Sequence, residues 1–152
     1  MIKLNMPPEL VQLSLDDARQ MAAIASQAHT HPMSITTIQS CFSHLYSVFG
    51  LTHKAELLGF AIVHQIFEDV TLIDICVSPE YQEQGFGRSL LEAVISKARS
   101  DMGETLFLEV RASSIAARAL YSKYGFVEAG SRKGYYKTAD GVEDAILMEL
   151  SL

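Results

Sequence analysis

The spacing of apolar residues changes several times along this chain, and each change predicts an element. Val11 to Leu15 alternates as a first strand, and Asp16 or Asp17 then caps a helix whose Ala18, Met21, Ala22, Ala25 and Ala28 share one face. Pro32 ends that unit, and Ser34 caps a second, short helix with Ile35, Ile38 and Phe42 on its inner side. Leu45 to Leu51 and Leu57 to Ile66 read as two antiparallel strands around a polar turn at Thr52 to Glu56. Val70, Leu72, Ile73, Ile75 and Val77 make a nearly unbroken apolar run, the pattern of a strand covered on both faces. Leu90, Leu91, Val94, Ile95 and Ala98 return to helical spacing, with Gly103 as the stop. Thr105 to Arg111 is a further strand, and a helix from about Ser114 to Tyr124 closes at Gly125. Two last strands, Phe126 to Lys133 and Ala145 to Leu150, flank the turn residues Ala139, Asp140 and Gly141. The order predicts one α/β domain with a mixed sheet, its central strand, helix and strand forming a parallel crossover.

Composition narrows the class. The 152 residues suit one domain with a sizeable core, and 49% hydrophobic against 20% charged residues is a globular balance. No apolar run reaches the roughly 18 to 20 residues that cross a bilayer, and Met1 to Asn5 followed by Pro7 and Pro8 lacks the apolar core of a signal peptide. A cytoplasmic location is expected. The net charge of −6 argues against a nucleic-acid footprint and favours a basic partner. Cys41 and Cys76 have neither metal nor redox spacing and read as free buried thiols. His29, His31, His44, His53 and His64 form no helix pair and have no carboxylate at ligand spacing, so no metal is expected.

Three places can carry chemistry. Between the apolar strand and the next helix runs Ser78-Pro79-Glu80-Tyr81-Gln82-Glu83-Gln84-Gly85-Phe86-Gly87-Arg88. A helix start has unpaired N–H groups and the positive end of the macrodipole, and glycine lets a ligand approach, so the loop reads either as an anion site or as an ordinary turn. On the strand Thr105 to Arg111, Leu106, Leu108 and Val110 point one way and Phe107 and Glu109 the other. Glu109 is therefore either a desolvated carboxylate with a pKa raised toward that of a general base, or a strand-end charge reaching solvent or pairing with Arg111. In the following helix Ser114 and Tyr121 lie two turns apart on one stripe, with Ile115, Ala116, Ala119 and Leu120 as the core face. The tyrosine hydroxyl then needs a polar partner or a function, unless the ring merely lies on the surface.

Taken together, Ile75-Cys76-Val77, the loop Gln82-Glu83-Gln84-Gly85-Phe86-Gly87 and Leu120-Tyr121-Ser122-Lys123-Tyr124-Gly125-Phe126 resemble the GCN5-related N-acetyltransferase (GNAT) superfamily. A narrower likeness spans Leu108-Glu109-Val110-Arg111-Ala112-Ser113, the Tyr121 segment, Tyr135-Tyr136-Lys137-Thr138, Asp140-Gly141, Glu143-Asp144-Ala145 and Met148. This pattern is similar to the RimI type, the bacterial ribosomal-protein-alanine N-acetyltransferases. The resemblance implies one GNAT domain over residues 1–152. Its sheet would be mixed and mostly antiparallel, with about six to seven strands and about four flanking helices. It implies acetyl-CoA as co-substrate and no metal. Glu109 would be the proton acceptor and Tyr121 the proton donor. Ile75, Cys76, Val77, Gln82, Glu83, Gln84, Gly85, Phe86, Gly87, Arg88 and Ser114 would hold the co-substrate.

Two departures stand out. Ser114 occupies the place where the family has asparagine, a shorter hydrogen-bonding side chain. His29-Thr30-His31-Pro32-Met33-Ser34 lacks the tryptophan of the family pattern His-x-x-Pro-Trp-Ser. The implied partner is the basic N-terminal peptide of a small-subunit ribosomal protein, which Glu143 and Asp144 would steer unless they form only a solvated hairpin face. Two alternatives stay open: another amine acceptor on the same fold, or a silent acyl-CoA-binding module.

Overall fold

The computed structural model describes all residues, Met1–Leu152, as seven strands and four α-helices. In chain order these are β1 (Glu9–Gln12), α1 (Ala18–Ala28), α2 (Ile35–Gln39), β2 (Tyr46–His53), β3 (Glu56–Ile66), β4 (Asp69–Val77), α3 (Phe86–Ser100), β5 (Thr105–Arg111), α4 (Ile115–Lys123), β6 (Val127–Thr138) and β7 (Gly141–Ser151). One sheet runs β1-β2-β3-β4-β5-β7-β6. Its only parallel neighbours are β4 and β5, and every other pair is antiparallel, as the order of elements predicts.

The sheet separates two cores. On one face α3 and α4 cover Leu58, Val70, Leu72, Leu106, Leu108 and Met148. On the other, α1 and α2 pack Met21, Ala25 and Ile38 against Phe60, Ile62 and Cys76. Of the two helix starts on this side, Ser34 caps as the sequence suggests, whereas Asp17 sits at the N-cap of α1 without capping it and reaches back to Ser14 instead. Ser34 Oγ accepts the Thr37 N–H at 3.1 Å, and Asp17 Oδ2 accepts the Ser14 N–H at 2.8 Å. That second bond turns the chain at Ser14, so β1 covers Glu9–Gln12 and stops short of the expected Val11 to Leu15.

Other boundaries differ for reasons of packing. The turn after α3 places Met102, not a glycine, in the left-handed region (φ 63), while Gly103 donates its N–H to the Ala98 carbonyl at 2.8 Å. Gly103 is needed there because a Cβ would lie 2.6 Å from Val70 Cγ2 and 2.9 Å from the Ala98 oxygen. The inner stripe is Ala117, Leu120 and Tyr121 of α4 with Tyr124 just after it; of the expected face, Leu120 packs inward while Ile115, at 66% exposed, Ala116 and Ala119 point outward. With alanines at 116, 117 and 119, two stripes satisfy the same apolar spacing, and the sheet selects one. Strand β4 is not covered on both faces: Ile73 is 39% exposed.

The cause lies in the β3–β4 ladder. Ile62 faces Asp74 and Val63 faces Leu72, so Ile73 is an extra residue without a partner, a β-bulge. Before it, Val70 and Leu72 enter the larger core; after it, Cys76 enters the smaller one and Ile75 and Val77 turn toward the larger. One inserted residue thus reverses which face each side chain reaches. Close approach maintains this ladder at its other end, where a Cβ on Gly59 would lie 2.6 Å from the Cys76 carbonyl oxygen and 3.2 Å from Val77 Cα. Those are backbone atoms and cannot move aside cheaply. Gly59→Ala is expected to cost about 1–3 kcal/mol, as overpacking does, read as a lower urea midpoint.

Candidate active site

Strands β4 and β5 pair through Asp69–Thr105, Val70–Leu106 and Thr71–Phe107, then part. The bulge at Ile73 bends β4 away while β5 stays bound to β7, with Glu109 opposite Leu147 and Arg111 opposite Ala145. A cleft of about 570 Å³ fills the gap, walled by Leu72–Val77 of β4, Leu108–Arg111 of β5, Tyr121 and the segment around His29–Met33. It adjoins a smaller hollow of about 290 Å³ bounded by Gln82, Glu83, Gly85 and Gly87, with Ile75 to Val77 common to both.

Along β4 hydrogen bonding alternates. Ser78 N–H donates to the Leu58 carbonyl at 2.8 Å and Phe60 lies opposite Cys76, so the N–H groups of Ile75 and Val77 face the gap instead. Asp74 Oδ1 takes the Ile75 N–H at 2.9 Å, leaving that of Val77. Of the expected trio, Cys76 contributes only backbone: its thiol is buried in the smaller core, which pushes its pKa up to about 12.

The loop before α3 fits an extended anion. No backbone N–H from Glu83 to Arg88 finds an acceptor in the protein; the first helical bond runs from Ser89 N–H to the Gly85 carbonyl at 3.0 Å. Gly85 has φ 84, and a Cβ on either Gly85 or Gly87 would meet nothing within 4 Å. Gly87 therefore has no packing reason to be glycine, and the space beside it is what a phosphate would use. Phe86 anchors the loop in the larger core. Other side chains of the loop turn elsewhere. Gln82 Nε2 donates to the Val77 carbonyl at 3.0 Å, and Gln84 accepts the Leu4 N–H at 3.2 Å while donating to the Ile2 carbonyl. Glu83 and Arg88 are exposed, and Arg88 lines neither hollow.

Tyr121 is 7% exposed, packs its ring against Phe126 and lines the cleft. Burial first, then the Asp74 carboxylate and Tyr136, push its pKa up to about 12, so the phenol keeps its proton through the physiological range. It does not lie on the surface. Ser114 precedes α4 and lines the cleft, with no capping bond from its side chain. Glu109 differs from the desolvated carboxylate expected. Its side chain is 30% exposed, and the partner is Arg132 at 3.2 Å rather than Arg111. Arg111 bonds Glu143 at 3.0 Å and His31 Nδ1 at 3.0 Å, and lies 4.2 Å over the Tyr136 ring.

Glu143 also accepts the Ser113 N–H at 3.1 Å, and the hydrogen bonds from Ser113 and Arg111 hold its carboxyl below the usual range. Asp144 accepts the Gly134 N–H at 2.9 Å. Both acidic residues thus pin the β6–β7 hairpin and the start of α4; neither stands free as a steering or solvated charge.

The pattern reading missed one pair. His29, at the end of α1, and Asp74 meet in the cleft with Nε2 3.1 Å from Oδ1. The available signal was a lone carboxylate within an apolar strand. Its hydrogen bond to Asp74 raises the His29 pKa, against burial and the Arg111 charge, which lower it.

A sheet opened between two parallel strands, with a glycine loop and helix start at one end of the gap, defines an acyl-CoA-type transferase. The chain belongs to the acetyltransferase (GNAT) family, whose model matches residues 9–126. More narrowly, it is 45% identical over 129 residues to the [ribosomal protein bS18]-alanine N-acetyltransferase of Escherichia coli K12, covering 85% of this chain and 87% of that protein. The protein of the same description from Haemophilus influenzae is 37% identical, over 90% of this chain and 94% of its own. The crystal structure of the Escherichia coli ribosomal-protein-S18-alanine N-acetyltransferase superposes with a TM-score of 0.91 at 42% identity, covering 94% of this chain and 92% of that one. The single mixed, mostly antiparallel seven-stranded sheet with four α-helices is the expected GNAT fold. No group of side chains could hold a metal ion, and no helix is long and apolar enough to cross a membrane.

The raised His29 pKa carries a sign. Its contribution to stability is complete below the ordinary histidine value near 6.5 and is lost as pH rises through the raised one. The destabilisation caused by His29→Gln should therefore be larger at about pH 5.5 than at about pH 8.5. Urea denaturation of both proteins at the two pH values measures it.

Proposed function

We propose that this chain transfers the acetyl group of acetyl-CoA to the N-terminal alanine α-amine of ribosomal protein bS18 in the cytoplasm. The observation that carries the reading is the parted β4–β5 pair, which sets the free N–H row of Glu83–Arg88 at one end and Glu109 and Tyr121 beside the gap. The 45% identity to the Escherichia coli enzyme supports the acceptor.

Acetyl-CoA supplies a thioester carbonyl, a thiol leaving group and a pyrophosphate. The N–H groups from Glu83 to Arg88 would hold the pyrophosphate, and Val77 N–H is placed to polarise the carbonyl. At pH 7 roughly a tenth to a fifth of an α-amine near pKa 7.7–8.0 is already neutral, against about one in two thousand for a lysine near 10.4. An exposed carboxylate suffices for the first task and not for the second. Glu109, directly or through a water, takes the amine proton. Burial keeps the Tyr121 phenol protonated, so it would donate a hydrogen bond and then its proton to the departing thiolate and regain a proton from solvent.

A second reading, another amine acceptor, is favoured by Met33, which stands in the cleft wall where the family has tryptophan. A silent acyl-CoA-binding module is disfavoured, because such a module needs neither Glu109 nor Tyr121. Mass spectrometry of ribosomal proteins incubated with the enzyme and acetyl-CoA should show one N-terminus gaining an acetyl group. Acetylation of lysines or polyamines alone would select the second reading.

Glu109→Gln and Tyr121→Phe should each lower kcat by about 10²-fold or more while acetyl-CoA affinity holds. Unchanged turnover in both would sink the assignment. Gly87→Val should preserve the fold, because its Cβ meets open space, and weaken acetyl-CoA binding in calorimetric titration. Equal affinity would remove the phosphate cradle.

A further inference from the structure

His29 and Asp74 form a couple that the Glu109–Tyr121 scheme leaves unused. Asp74 Oδ1 accepts from both His29 Nε2 and the Ile75 N–H, and its second oxygen is shielded from solvent. The pair therefore meets the cleft only through the imidazole. An ionised carboxylate can only accept, so the proton of the neutral ring sits on Nε2 and Nδ1 is left as a bare acceptor. Nδ1 has no partner in the protein and is not shielded, and the side chain is 36% exposed.

Its place is specific. The cleft and the smaller hollow share Ile75 to Val77, and His29, just after α1, borders both. The Cys76 thiol is turned into the smaller core, so His29 is the only titratable group presented where the two spaces meet. Turning an ammonium into an amide also removes two protons from one nitrogen. The first frees its lone pair, and the second leaves as the N–C bond forms. The C–S bond breaks, the sulfur takes the Tyr121 proton, and one proton is released overall. Glu109 accounts for one nitrogen proton, which leaves the other without an acceptor.

We propose that His29, oriented by Asp74, is a second proton acceptor of the site, its Nδ1 taking a proton from the acceptor nitrogen as the N–C bond forms. The inference rests on the reading of this cleft as an acetyl-transfer site. After the step Glu109 and His29 each hold one nitrogen proton and Tyr121 has lost one. One of the two returns to Tyr121 through solvent and the other is released. Imidazole suits the step because its ordinary pKa lies nearer neutrality than a carboxylate's. The Asp74 bond strengthens the base further, so Asp74 is a positioning residue that fixes the tautomer and the ring. The charged and titratable groups around His29 are Asp74 and Cys76 of β4, Glu109 and Arg111 of β5, Tyr121 of α4, Tyr136 of β6, Cys41 after α2, and His31. Burial keeps both thiols and both phenols protonated near neutrality. His31 Nδ1 already bonds the Arg111 guanidinium, so Asp74, Glu109 and Arg111 are the charges that act on the His29 ring.

The test follows the imidazole itself and the turnover of a peptide beginning with alanine. In the parent, the acidic limb of kcat should coincide with the His29 midpoint read by NMR in the CoA-bound enzyme, above the ordinary value near 6.5. Asp74→Asn keeps an oxygen for the Nε2 proton but removes the charge that stabilises the imidazolium, so midpoint and limb should both move to lower pH. His29→Gln, whose amide can still donate to Asp74, should lower kcat by about 10²-fold with acetyl-CoA affinity unchanged. A limb that departs from the His29 midpoint, in the parent or in Asp74→Asn, overturns the proposal, as does full turnover in His29→Gln. The parent comparison requires no variant to fold. If the alanine peptide is not acetylated, the acceptor reading falls and the same comparison is made with the amine that is. If no amine is acetylated, both fall together.

Discussion

A β-sheet is held by its ladder, and here the ladder is abandoned in the middle of the molecule. After Thr71–Phe107 the facing edges of β4 and β5 carry N–H and C=O groups with no strand between them. Leaving such groups unpaired in an apolar setting is expensive. The surroundings respond to that cost one group at a time. Asp74 takes the Ile75 N–H and Gln82 donates to the Val77 carbonyl. The cleft occupies a break in the sheet, and a ligand that resembles a strand is what such a break best accommodates.

Two cores make the break tolerable. The sheet stays anchored on both sides because α1 with α2 and α3 with α4 cover opposite faces, and β5 loses one neighbour while keeping β7 along its whole length. The elements carrying the site are therefore among the stiffest in the fold. Tyr121 is fixed by Phe126 and the larger core, and Asp74 by its strand and His29. Groups at the open end of the cleft are held differently, by the Arg111 guanidinium bridging Glu143, His31 and Tyr136. That junction ties the α1–α2 connection to the β6–β7 hairpin across the mouth of the cleft.

The element order was legible because apolar spacing switches cleanly between strand and helix periods, and Ser34, Gly85 and Gly125 punctuate it. The glycine loop, Glu109 and Tyr121 were also visible, as residue types in an order. What the pattern concealed was set by pairing between distant segments. The bulge at Ile73 exists only against Ile62 and Val63, and without it Asp74 would face the opposite core. The environment of Glu109 depends on Arg132, which comes from a strand two positions away in the sheet. The inner face of α4 was ambiguous because alanine is equally acceptable on either stripe, and only contact with the sheet decides.

Gln84 links the glycine loop to the start of the chain. Its amide bonds the backbone of Ile2 and Leu4, and Ile2 N–H also reaches the Glu80 carbonyl at 2.6 Å. The first few residues are in effect a clamp on the loop before α3, although they lie about eighty positions away in sequence. Anything joined ahead of Ile2, whether a natural extension or a purification tag, is delivered beside the loop that precedes α3. A tag placed after Leu152 leaves that clamp untouched, so the choice of terminus is already a choice about the site.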